Sequence, residues 1–170
     1  MSERLSQLSS TVLANPRAWA KLEKTPLLVW EKAPVKKKGT PLVLGTLANI
    51  KLEPPAHDPL CFRLRKYNRV GNAFALGITL GRAEFNDIPL DDGSVSRFHA
   101  YFQQDRQSGI WHVVDAESFN GSSVDGVWLQ PNRPAPLRDR VELKFGNIEM
   151  RFFTAESFGE WVAARPAALP

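Results

Sequence analysis

The chain has 170 residues, 43% hydrophobic and 24% charged, enough for one packed domain with an extension and inconsistent with a disordered chain. No run of about twenty apolar residues occurs, and the Met1-Ser2-Glu3-Arg4 start lacks a basic-then-apolar leader, so neither a membrane span nor a secretory signal is expected. The net charge of +4 sits in residues 1–60, with nine Lys/Arg against five Asp/Glu, while residues 61–170 carry thirteen of each sign.

In chain order, Leu5, Leu8, Val12 and Leu13 fall on one helical face. Asn15-Pro16 pairs a capping residue with a proline at the first helical position and predicts a second short helix through Trp19 and Leu22. Two apolar runs follow, 26–30 and 41–44, around a basic loop containing Lys36-Lys37-Lys38. The runs could pair as a hairpin, lie against the rest of the fold or await a partner. The tri-lysine reads as a solvated loop, because nucleic-acid binders carry a basic face across the folded domain. Nucleic acid is therefore not an expected partner. Pro54-Pro55 makes a stiff join ahead of Cys61.

From Phe62 onward a two-residue period dominates, as in half-buried strands. Phe62 and Leu64 alternate with Arg63 and Arg65, and Phe74, Leu76, Ile78 and Leu80 with Ala75, Gly77 and Thr79. The same pattern recurs over 111–115, 141–145 and 148–152, with turn signals such as Asp92-Gly93-Ser94, Asn120-Gly121, Asp125-Gly126 and Gly146-Asn147 between the runs. Many short strands at this spacing indicate an all-β sandwich or barrel. A terminal helix follows, capped by Thr154, with Phe158, Trp161 and Val162 as its apolar stripe and Pro166 limiting its length. The predicted organisation is an extension over 1–59 with short helices and a basic loop, a β domain over 60–155, and a helix and tail over 156–170.

The single cysteine, Cys61, excludes an internal disulfide framework and fits a reducing, cytoplasmic location. Three scattered histidines offer no metal-ligand spacing, and no cofactor is expected.

Two polar clusters interrupt the strands. The first is Gly81-Arg82, Asn86-Asp87-Ile88 and Val95-Ser96-Arg97-Phe98-His99-Ala100; the second is Asp115, Ser118-Phe119-Asn120-Gly121-Ser122 and Val124-Asp125-Gly126. An arginine at a strand end, a Ser-Arg-x-His loop and an Asn-Gly turn are the parts needed to hold one phosphate group. In order and spacing they resemble the forkhead-associated (FHA) domain, a β-sandwich family that reads phosphothreonine in partner proteins.

The resemblance implies a β-sandwich of mostly antiparallel strands and a role for each matching residue. Arg82 is the phosphate-gripping arginine, whose planar fork donates two charge-assisted bonds. Gly81 permits the loop geometry. Ser96 donates through its hydroxyl and neighbouring backbone, and Arg97 contacts the phosphate or the ligand backbone. His99 braces the loops, Asn120 holds the bound peptide's main chain, and Gly121 and Ser122 support the turn. Phe119 departs from the pattern, since this position often adds a donor and phenylalanine has none. The implied partner is a phosphothreonine-containing protein, with a Ser/Thr kinase upstream and no enzymatic activity in this chain. The alternative is a phosphate-independent scaffold acting through the extension and the loop face. A nucleophile-base pair formed by Ser96 and His99 is rejected, because no oxyanion-hole sequence accompanies them.

Overall fold

The computed structural model describes residues 2–31 and 58–165. The tri-lysine, the apolar run 41–44, Pro54-Pro55 and Pro166 lie outside the described residues. The chain order is β1 (Ser2–Arg4), α1 (Leu5–Ala14), α2 (Pro16–Leu22), β2 (Leu27–Trp30), β3 (Leu60–Arg63), β4 (Ile78–Gly81), β5 (Ile88–Pro89), β6 (Ala100–Gln104) and β7 (Trp111–Asp115). It continues with β8 (Ser122–Val124), β9 (Val127–Trp128), β10 (Ala135–Pro136), β11 (Glu142–Phe145), β12 (Ile148–Phe153) and α3 (Ala155–Ala163).

The strands form two sheets, ordered β1-β3-β2-β12-β11-β8-β9 and β10-β7-β6-β4-β5. Every pairing is antiparallel except β4 with β5. Between the sheets lies a core that includes Leu28, Phe62, Leu80, Phe102, Val113, Leu143, Phe145 and Phe152. The two-residue period leaves a sandwich or a barrel open, and the two packed sheets are the sandwich that the family resemblance implies.

The segment ahead of residue 60 enters this sandwich directly. β2 pairs with β12 on one side and β3 on the other, with Leu28 opposite both Phe152 and Phe62. Its uninterrupted run Leu27-Leu28-Val29-Trp30 is explained by burial on both faces. Leu28 and Trp30 point into the sandwich core, whereas Leu27 and Val29 point outward into a second apolar cluster with Leu5, Leu8, Val12, Trp19, Phe153 and Phe158. Helices α1, α2 and α3 form that outer layer. Asn15 caps α2 by accepting from the Ala18 N–H, and Thr154 caps α3 by accepting from the Ser157 N–H. Cys61 is buried in this layer, and loss of solvation, reinforced by Asp58, pushes its thiol up to about 12.

Some expected positions differ. Leu13 and Leu22 project from the helical layer, Leu22 with 82% of its surface exposed, because the short helices turn only one narrow face to the sheet. The strand expected over 74–81 is regular only over Ile78–Gly81. Phe74 instead packs its ring on Phe98 and Tyr101 at 5.3 and 4.7 Å, and Leu76 is 77% exposed.

Candidate functional site

Strand register gathers three loops at one end of the sandwich. Leu80 lies opposite Ala100, and Ala100 opposite Asp115, so the end of β4, the start of β6 and the end of β7 share one level. Residues 82–87, 91–99 and 116–121 continue from these points. The first two loops are sewn together by Arg82 N–H to the Ser96 carbonyl at 2.9 Å and Ala83 N–H to the Arg97 carbonyl at 3.2 Å. The Asn86 amide donates to both the Ala83 and Arg97 carbonyls, at 2.8 and 2.7 Å. Gly81 makes this approach possible: a Cβ there would stand 2.4 Å from the Arg97 carbonyl oxygen.

His99 is fully buried and joins the second loop to the third. Its Nδ1 accepts the Ser96 N–H at 3.0 Å, which places the ring proton on Nε2, 3.1 Å from the Gly121 carbonyl it donates to. Burial holds its pKa below the ordinary histidine value, against the opposing pull of the Gly121 carbonyl and the Asp115 charge. The ring is therefore a neutral brace. The Ser96 Oγ faces elsewhere, accepting the Phe119 N–H at 3.0 Å. Ser96 and His99 thus make no hydroxyl-to-imidazole hydrogen bond, the contact a nucleophile-base pair requires.

The third loop is shaped by buried Asp115, which accepts the Ser118 N–H at 2.9 Å and the hydroxyls of Ser118 and Ser122. Gly121 has φ +73°, and the Trp128 ring lies 3.1 Å from where its Cβ would be, so a side chain there would strain the backbone and crowd that ring. Asn120 is exposed and donates its amide to the Ser94 carbonyl at 2.8 Å, linking the second and third loops.

Behind the first loop, buried Asp87 accepts from Lys66 Nζ at 2.9 Å, Tyr67 N–H at 2.8 Å and Thr79 N–H at 2.9 Å. Burial pushes its carboxyl up, but these bonds and the lysine charge together hold it below the usual value.

Sequence reasoning gave no part to Ser94, yet it links three segments. Its N–H and hydroxyl donate to Asp92 Oδ1, its hydroxyl oxygen accepts the Asn147 N–H, and its carbonyl accepts from Asn120. Those bonds from Ser94 hold the Asp92 carboxyl below its usual pKa. The Asp92-Gly93-Ser94 turn carried the local part of this signal; the reach to Asn147, at a separation of 53 residues, did not show.

The structure brings Arg82, Ser96 and Arg97 to one open cavity of about 550 Å³, walled by Phe85 and Phe98. Arg82 and Arg97 are exposed, and Arg82 Nε donates to the Val95 carbonyl at 3.3 Å. The lining offers guanidinium, hydroxyl and backbone donors with no carboxylate, which suits an anion. Phe119 sits on the rim with 92% of its surface exposed. Among the described residues, no group of three or more His, Cys, Asp or Glu could hold a metal ion, and no helix is long and apolar enough to cross a membrane.

The sequence profile of the FHA domain matches residues 78–146, the stretch that contains all three loops. The chain is 39% identical over 111 residues to the oxoglutarate dehydrogenase inhibitor of Corynebacterium diphtheriae, covering 64% of this chain and 73% of that protein. It is 36% identical over 80 residues to the glycogen accumulation regulator GarA of Mycobacterium tuberculosis, covering 47% of this chain but only 46% of the relative. Among solved structures, the fold is similar to full-length yeast Pml1p, with a TM-score of 0.51 and 16% identity over 87% of this chain and 92% of that one. It is similar to the same degree to Mycobacterium tuberculosis EmbR in complex with a low-affinity phosphopeptide, with a TM-score of 0.51 and 18% identity over 87% of this chain and 29% of that one. The two packed sheets, the loop end built on Arg82, Ser96, His99 and Asn120, and a relative matched over most of its length agree: the chain belongs to the forkhead-associated domain family.

Proposed function

We propose that this chain is a non-enzymatic module that binds a phosphothreonine peptide of a partner protein, downstream of a Ser/Thr kinase. The observation that carries the reading is the convergence of Arg82, Ser96 and Arg97 on one cavity without a carboxylate. A phosphothreonine has about −1.5 to −2 charges and three acceptor oxygens at neutral pH. Arg82 supplies a fork to two of those oxygens, the Ser96 hydroxyl donates to the third, and Arg97 adds charge at the entrance. Asn120 holds the peptide's main chain. Gly81, His99, Gly121 and Ser122 keep the loops in register before the ligand arrives, which reduces the ordering cost of binding. The regulatory names of the two relatives, an enzyme inhibitor and an accumulation regulator, fit an output made of assembly rather than chemistry. Buried, unpaired Cys61 fits a reducing compartment, the cytoplasm.

Phe119 supplies no side-chain donor, so the best ligands bind on the order of tens of micromolar, an affinity near 6 kcal/mol. Calorimetry on a phosphothreonine peptide library, beside the same peptides with phosphoserine or plain threonine, tests the reading. Phosphothreonine binds, phosphoserine binds about threefold to fourfold more weakly through loss of one buried methyl, and plain threonine does not bind. Equal binding of all three favours the second reading, a phosphate-independent scaffold. Its specific support is the exposed apolar pair beside the site, Phe119 and the 60% exposed Trp128.

A further inference from the structure

The main chain around Asn120 is fixed from both sides. The Phe119 N–H donates to Ser96 Oγ at 3.0 Å, and the Gly121 carbonyl accepts from His99 Nε2 and from the Gly146 N–H, each at 3.1 Å. These bonds set where the Asn120 backbone stands and leave its side chain free to turn. The side chain is exposed, and the terminal torsion of an asparagine is broad unless its amide is tied. The tie is the Ser94 carbonyl, 2.8 Å from Asn120 Nδ2. It uses one of the two N–H donors of that amide and so decides which end of the amide is nitrogen.

Ser94 is in turn held by the turn Gly146-Asn147 between β11 and β12. Its hydroxyl oxygen accepts the Asn147 N–H at 2.9 Å, while its N–H and hydroxyl donate to Asp92 Oδ1 at 2.8 and 2.6 Å. Gly146, with φ +58°, comes closer still: a Cβ there would stand 2.4 Å from the Ser94 carbonyl oxygen, the same oxygen that receives the Asn120 amide. The turn therefore meets both groups that frame Asn120, the Gly121 carbonyl through the Gly146 N–H and the Ser94 carbonyl through the Gly146 Cα.

We infer that Ser94 and the Gly146-Asn147 turn are the positioning residues of Asn120, setting its amide to meet the main chain of an extended peptide. The inference rests on the phosphopeptide reading above. The phosphate itself remains with Arg82, Ser96 and Arg97. A side chain ordered before the ligand arrives loses less freedom on binding, so the gain appears in peptide affinity. The Ser94 hydroxyl acts at one remove: it pins the main chain whose carbonyl pins the amide. Its loss is therefore felt only while Asn120 is present.

The test is a double-mutant cycle, read by calorimetry with one phosphothreonine peptide, each variant first shown to be folded by its thermal transition. Asn120→Ala weakens binding about tenfold and Ser94→Ala about fivefold, whereas Ser94→Thr, which keeps the hydroxyl, stays within about twofold. In the Asn120→Ala background, Ser94→Ala costs no more than about 1.5-fold further. Gly146→Ala, which drives a methyl against the Ser94 carbonyl, weakens binding at least as much as Ser94→Ala. In the free protein, the side-chain amide resonances of Asn120 move in Ser94→Ala toward those of an untethered asparagine. Losses that multiply in the double variant mean that Ser94 acts elsewhere and overturn the inference while leaving phosphopeptide binding in place. Wild-type affinity in Ser94→Ala, or in folded Gly146→Ala, overturns it too. Ser94→Thr as weak as Ser94→Ala overturns the part given to the hydroxyl. If the wild-type chain binds no phosphopeptide at all, the underlying reading fails and this inference falls with it.

Discussion

At the loop end of the sandwich the buried groups are polar. His99, Asp115, Asp87 and Asn86 are each almost fully enclosed and spend their hydrogen bonds on neighbouring loops. Behind the seven-stranded sheet the buried groups are apolar, with Trp19, Phe153 and Phe158 meeting ring to ring at 5.8 and 6.1 Å over Leu27 and Val29. The two regions divide the labour. Apolar burial is non-directional and proportional to area, so the helical layer adds stability while specifying little. Hydrogen bonds are directional and modest in net energy, so the loop end adds little stability while fixing positions closely. Changes at one end should therefore be nearly silent at the other.

The largest expected effect is in the helical layer. Phe158→Ala removes a fully buried ring and costs about 3–5 kcal/mol of unfolding free energy, read from a denaturant titration. Phosphopeptide affinity of the folded variant stays within roughly twofold, since separated sites add independently. A large loss of affinity would mean that the layer positions the loops after all.

Arg82→Ala tests the opposite corner. Hydrogen bonds to charged groups are worth about 1.5–3 kcal/mol each, so affinity for the phosphopeptide falls at least tenfold. The melting temperature moves little, because the side chain is exposed. Coupled losses of stability and affinity would break the division.

Phe119→Thr restores a side-chain hydroxyl on the rim and tightens phosphopeptide binding by up to about tenfold, with no change in melting temperature. Weaker binding would identify the ring as a ligand contact.

The smallest effect is in pH. Because the folded state holds His99 neutral with a lowered pKa, the unfolded chain takes up more protons once pH drops below the ordinary histidine value of about 6.5. The stability contributed by this brace is complete above that pH and declines below it, so the melting temperature falls on mild acidification. Asp87, also lowered, adds a separate loss only as pH drops below about 3.9. A His99 ring resonance that titrates at or above 6.5 would contradict the first statement.

The same contrast decides what the sequence disclosed. Caps are local, and Asn15 and Thr154 were legible because capping residue and capped amide lie three positions apart. Strands β11 and β12 announced themselves by strict alternation across the Gly146-Asn147 turn. The grouping of Arg82, Ser96, His99 and Asn120 was legible only through the family resemblance that their order and spacing carry. Ser94 was not, because its partners arrive from Asn120 and Asn147, brought near only by the pairing of distant strands. The run 74–76 misled for a complementary reason: alternation reports one buried face, and Phe74 finds its partners in surface rings instead of the core. The continuous apolar run in β2 signalled burial but gave no hint of which strands flank it.

The position of β2 bears on how this protein can be divided. A fragment begun at residue 60, the start of the β domain expected from the sequence, would lack the strand that joins β3 to β12. Both would then present rows of unsatisfied backbone donors and acceptors, with Phe62 on one and Phe152 on the other. Such open edges template pairing between chains. That fragment would retain every residue assigned to the phosphate and still self-associate, so solubility, more than ligand chemistry, sets the shortest useful length of this protein.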